Sequence, residues 1–136
     1  MQGKEDLKSI IKLLWDEAWS KGNLDVLDKI IDERCVNHIS GYPDLQGTAG
    51  LRHFITQFRT SFPDIIITVE DQIEEDGKVA NRWIAKGTHR GELKSIPSTG
   101  KFITVVGITI YRFENSKGIE AWTSWDDAGL TEQLKK

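Results

Sequence analysis

Asp126, His38 and Arg82 combine reactive side chains with positions where chemistry could be done. Asp126 follows Trp125. Buried beside Trp122 and Trp125, its carboxyl pKa would rise, and it could exchange protons near neutral pH. The competing reading is that Asp126 or Asp127 caps a following helix. His38 ends a short extended segment. A neutral imidazole there could accept or donate a proton, or be packed and hydrogen-bonded. Arg82 lies between Ala80 and Ile84 in an apolar segment. It could bind a ligand carboxylate, polarise a carbonyl, or form a buried ion pair with Glu70 or Glu120. His89 reads as a strand-end anchor and His53 as a surface or interface residue of a helix. These three histidines show no paired ligand spacing, so no metal site is expected. The single cysteine, Cys35, reads as a small buried hydrophobe.

The elements that position these groups follow from periodicity. Leu7, Ile10, Ile11, Leu14 and Ala18, flanked by Trp15 and Trp19, describe an amphipathic helix of about four turns. Gly22 is placed to end it, and Asn23 to cap a second helix carrying Leu24, Leu27, Ile30 and Ile31. An extended piece, Arg34 to His38, leads to a loop with Gly41, Pro43 and Gly47. Thr48 is placed to cap a third helix with Leu51, Phe54, Ile55, Phe58 and Phe62, stopping before Pro63. The period then becomes two. Asp64 to Glu74 reads as a strand with Ile65, Ile67, Val69 and Ile73 on one side. Asp76-Gly77 is a hairpin signal, and Lys78 to His89 is the returning strand. After a loop from Gly91 to Gly100 come strands Phe102 to Glu114 and Ile119 to Asp126, then a helix from about Asp127 to Leu134. The glycines Gly87, Gly91, Gly100 and Gly107 read as bends that let a sheet curl.

Helices followed by a strand meander make an α+β chain, and 136 residues suit a single domain over residues 1–136. The strand from Phe102 is apolar on both faces, with Ile103, Val105 and Tyr111 on one and Val106, Ile108 and Ile110 on the other. Both faces should therefore be covered, one by helices and the other by a second copy, giving a homodimer through the sheet face. The net charge of −3, with acids and bases mixed, argues against nucleic acid. No apolar stretch approaches the ~20 residues that span a bilayer, so no membrane association is expected. Met1 to Asp6 lacks a basic segment followed by an apolar one. With a lone cysteine, a cytoplasmic location is the default expectation.

Four phrases, in this order and spacing, carry a resemblance: W-D-E-A-W-S-K-G-N-L-D-V-L from Trp15, R-W-I-A-K-G-T-H-R-G-E from Arg82, I-P-S-T-G-K from Ile96 and W-T-S-W-D-D-A-G from Trp122. Over about residues 5 to 134 the chain resembles the SnoaL-like polyketide cyclase family of the NTF2-like group. The resemblance implies an NTF2-like cone, in which three N-terminal helices pack on a strongly curved, mainly antiparallel sheet with a short C-terminal helix. It implies no cofactor, and a pocket for a small organic molecule. The family's cyclases use a His-x-Asp on the last strand and a histidine on the strand before it. Counted back from Gly129 and Gln133-Leu134, those positions are Ala121, Thr123 and Thr109. Alanine moves no proton, and threonine hydroxyls are poor acids and bases near neutral pH. The expected pocket is thus Trp19, Phe54, Thr109, Ala121, Thr123 and Trp125.

Three functions compete. The chain could bind a small, largely apolar molecule in the cone without cyclase-type catalysis. It could be a cofactor-free ester cyclase, isomerase or hydrolase using Asp126, His38 and Arg82 as acid–base groups. Or it could be a structural dimer module with a filled cone.

Overall fold

The computed structural model describes residues 6–136. The leader reading of Met1 to Asp6 falls outside these residues, except for Asp6. Helix α1, Leu7–Leu13, is capped by Asp6, whose carboxylate accepts from Ser9 N. It does not stay α-helical to its end. Leu14–Trp19 forms a π-helical segment, with Ser20 N donating to Trp15 O five residues back at 3.0 Å. The wider turn puts Leu14, Trp15, Ala18 and Trp19 all into the core. Gly22, at φ 77°, takes the left-handed conformation that ends the helix.

Asn23 then caps as expected, its side chain accepting from Asp25 N at 3.3 Å. The second helix is shorter than expected: a 3₁₀ turn, Leu24–Val26, followed by α2, Leu27–Ile30. The β-branched Ile31 belongs instead to strand β1, Ile31–Ile39. A two-residue strand, β2 (Leu45–Gln46), precedes α3, Gly47–Ser61. Gln46, not Thr48, occupies the cap position of α3, and it makes no side-chain capping bond. The meander follows as β3 (Ile66–Glu75), β4 (Lys78–Thr88), β5 (Phe102–Glu114) and β6 (Lys117–Trp125), and α4 (Asp127–Lys135) closes the chain.

The strands form one curved six-stranded sheet in the order β2-β1-β6-β5-β4-β3. All neighbours are antiparallel except β1 and β6, which run parallel with Asn37 opposite Ala121 and Ile39 opposite Thr123. The core lies between the helices and the concave face, which receives Val79, Trp83 and Ala85 from β4, Ile103, Val105 and Tyr111 from β5, and Ala121 from β6. The outer face carries Phe102, Val106, Ile108 and Trp122 exposed. Strand β3 departs from simple alternation. A register shift between Val69 and Asp71 reverses side-chain parity beyond it. Ile67 is buried, but Ile73, expected on the same side, is 65% exposed. Gln72 takes the inward place and bonds Asn81 at 2.8 Å.

Candidate functional site

The concave face and the helices enclose a cavity of about 80 Å³. The π-helical segment supplies Leu14, Trp15 and Trp19; α3 supplies Leu51, Phe54 and Phe58; β6 supplies Thr123 and Trp125; and Leu130 of α4 closes one side. The walls are a continuous aromatic cluster. Trp19 meets Phe54 edge-on at 6.1 Å, Phe54 lies 4.9 Å from Phe58, and Phe58 meets Trp125 edge-on at 5.7 Å. Such packing fixes ring orientations as well as burying area.

Polar atoms gather on the sheet floor. Trp83 Nε1 donates to Thr109 Oγ1 at 3.0 Å, and Thr109 Oγ1 lies 2.9 Å from Thr123 Oγ1 on the neighbouring strand. Tyr111 OH donates to Asn37 Oδ1 at 3.2 Å. Gly107, between these rows, makes the indole arrangement possible. A Cβ there would sit 2.4 Å from Trp83 Cζ2 and 2.9 Å from Trp125 Cβ.

Among the described residues, Tyr111 is the only lining residue with a titratable side chain, and complete burial pushes its hydroxyl well above the usual value of 10.0. The cavity is therefore electrically neutral around physiological pH. It can hold an apolar body and offer hydroxyl, amide and indole groups to one polar feature. None of the described lining residues carries a side chain that titrates near pH 7 in the free amino acid.

Over the aromatic wall lies a second layer. Tyr42 meets Phe54 edge-on at 5.5 Å and stacks on Trp125 at 6.0 Å. Lys94, from the β4–β5 loop, places its ammonium 5.4 Å from the Tyr42 ring centre and forms an ion pair with Asp127 of α4. Lys94 and Ser95 both have positive φ, 52° and 68°, in a tight turn closed by paired bonds between Leu93 and Ile96.

The description of SnoaL-like polyketide cyclases matches residues 9–134. The chain belongs to this family. Among solved structures, the SnoaL-like fold is shared with a candidate polyketide cyclase from Acidithiobacillus ferrooxidans, at 28% identity and TM-score 0.84, covering 99% of this chain and 98% of that one. IdmH, a candidate polyketide cyclase from Streptomyces antibioticus, is 26% identical with TM-score 0.85 over 97% of this chain and 100% of its own. A candidate SnoaL-like polyketide cyclase from Jannaschia sp. CCS1 superposes with TM-score 0.88 at 18% identity, over 98% and 97% of the two chains. No curated protein matches the sequence.

Within the SnoaL-like cone, Trp19, Phe54, Thr109, Thr123 and Trp125 all reach the cavity wall. Ala121 lies beneath it, fully buried opposite Tyr111 and Asn37. The three groups considered for acid–base chemistry are not brought together, and none lines the cavity. Asp126 is exposed and caps α4, accepting from Gly129 N at 2.9 Å. Strand parity sends Arg82 to the outer face, where it is exposed opposite Ile108 and Asp71 and forms no salt bridge among the described residues. His38 also faces outward, half-buried against Trp122, with ring nitrogens 3.1 Å from Asp44 and 2.8 Å from Glu120. Bonding to Glu120, then to Asp44, raises its pKa above 6.5.

His89 anchors the end of β4. Its Nδ1 accepts from Thr99 N at 3.2 Å, and its ring lies 5.4 Å from Phe62. Burial pushes the Cys35 thiol up to about 12, which removes its nucleophilicity near neutral pH. The described residues contain no cluster of three metal-ligating side chains, and none of their helices is long and apolar enough to cross a membrane. Asn37, Tyr111, Trp83 and Tyr42 were not anticipated at the site. Tyr111 had the inward parity of Thr109, and Asn37 that of Cys35, so the alternation of β5 and β1 held the signal for both.

Proposed function

We propose that this protein binds a small, uncharged, largely apolar organic molecule in its cone and does not perform polyketide-cyclase-type proton transfer. The observation that carries this reading is the neutrality of the cavity. Ala121, Thr123 and Thr109 stand where the resemblance puts the family's proton-transfer groups, and the one titratable lining residue, Tyr111, is held neutral by burial. The aromatic wall supports an apolar ring-bearing ligand. The candidate polyketide cyclases of similar fold support the same chemical class. A ligand larger than the cavity enters by displacing Tyr42, which lies over Phe54 and Trp125.

Two copies pair through the outer sheet face, where Val106 and Ile108 are about half exposed beside Trp122. A contiguous apolar face of this kind is a recognition surface in a protein that works in the cytoplasm. The deciding experiment is native mass spectrometry of the purified protein, followed by titration of the recovered molecule against tryptophan fluorescence. Saturable quenching with no chemical change in the molecule is the expected result. Turnover of the recovered molecule overturns the non-catalytic reading, and a failure of every apolar probe to bind overturns the pocket itself.

A further inference from the structure

An indole nitrogen can only donate a hydrogen bond, and this fixes the direction of the polar row on the cavity floor. Trp83 Nε1 lies 3.0 Å from Thr109 Oγ1, so Thr109 accepts there. Thr109 Oγ1 also lies 2.9 Å from Thr123 Oγ1, and either hydroxyl could be the donor by distance alone. The burial of Thr109 separates the two cases. The residue is 2% exposed, and its hydroxyl has no third partner among the described residues. If Thr123 donated to Thr109, the Thr109 proton would be left buried without an acceptor, which is the unfavourable state for such a group. If Thr109 donates to Thr123, every buried donor in the row is satisfied. The free proton is then that of Thr123, which is partly exposed and stands on the cavity wall. Successive bonds in one direction also polarise one another, so the terminal hydroxyl is a better donor than an isolated threonine.

We propose that Thr123 is a specificity-determining residue whose hydroxyl donates to an acceptor oxygen of an uncharged, carbonyl-bearing ligand, with Trp83 and Thr109 as positioning residues that set the direction of the row. This rests on the cavity being a ligand site. It narrows the ligand from apolar to apolar with one acceptor, a ketone or ester rather than a hydrocarbon. A carboxylate is disfavoured, since no cationic side chain among the described residues lines the cavity to offset its desolvation.

The test uses two molecules of one shape, cyclohexanone and methylenecyclohexane, which differ by oxygen for CH₂. Their affinities are read from NMR shifts of the tryptophan indole signals in the full chain. Wild type should bind the ketone about three- to ten-fold more tightly than the alkene, the value of one net hydrogen bond. Thr123→Val should abolish that preference while retaining alkene affinity, which also reports an intact cavity. Thr123→Ser, which keeps the hydroxyl, should restore the preference. Equal binding of ketone and alkene by wild type, or a preference that survives Thr123→Val, overturns the role of Thr123 and leaves the pocket standing. No binding of either molecule overturns the pocket and this inference with it.

Discussion

Cys35 and Asn37 show how burial decides chemistry at single positions. Cys35 is fully buried, and its sulfur accepts from Asn37 Nδ2 at 3.7 Å, a weak interaction for both atoms. With its pKa at about 12, essentially no thiolate forms at neutral pH. The expected outcome is that a thiol-reactive dye labels the native protein only at the rate of unfolding, and promptly in denaturant. Fast labelling of the native state would refute the buried assignment. Asp126 carries the opposite lesson. In sequence it sat beside two tryptophans and invited an acid–base role, but the same position begins α4. Asp126→Ala should lower stability by about 1 kcal/mol, the usual worth of a helix cap, with little effect on ligand affinity. Thermal melting and the ligand titration, run side by side, separate these effects. The sequence left both readings of Asp126 open because carboxylate burial depends on where the strand ends. Trp125 is the last residue of β6, and Asp126 has already turned outward.

At the scale of elements, period-two alternation made most of the sheet legible. It placed Ile103, Val105 and Tyr111 on one face of β5 and Val106 and Ile108 on the other, as they stand. It failed in β3, because one extra residue at the bulge reverses parity and nothing in the local sequence marks it. The count that puts Ile73 on the side of Ile65, Ile67 and Val69 holds only for an unbroken strand. The start of α3 was missed for a related reason. Thr48 has the right chemistry for a cap, but the left-handed Gly47 already starts the helix one residue earlier. Gly107 was read as a bend, whereas its stronger constraint is lateral. Trp83 occupies the space where a side chain would be. Gly107→Ala should therefore displace the indole, shrink the cavity and cost about 1–3 kcal/mol by overpacking. Denaturant melts and probe binding check both effects. Unchanged affinity would mean that the indole does not shape the pocket.

For the whole molecule, the outer sheet face links charge to assembly. His38 lies between Asp44 and Glu120, and Glu120 also bonds Arg112 at 2.9 Å. The two titrations act in opposite directions. The His38 pKa is raised above 6.5, so its stabilising contribution is complete below that value and fades as pH climbs through the folded value. The Glu120 carboxyl is held below 4.5 by His38 first and Arg112 second, so its contribution is present above 4.5 and fades as pH falls through the folded value. The network is strongest between these limits. His38→Gln should flatten the part of the stability–pH curve that declines above about pH 6.5. Both groups are only part-buried, so solvent screening keeps the change small, and a melting series across that range reads it. If two copies pair through this face, light scattering should show the same pH trend in the wild-type monomer–dimer balance. A pH-independent balance would separate the pairing surface from His38.

The parallel pairing of β1 with β6 brings Asn37 beside Ala121 and Ile39 beside Thr123, across most of the chain length. The meander β3 to β6 needs only neighbouring hairpins, while this contact must close a long loop before any bond rewards it. Two lining residues, Asn37 and Ile39, reach the cavity only through that closure. Loop-closure entropy predicts that this join forms after the hairpins, so ligand added during refolding should alter the later phase and leave the earlier one unchanged.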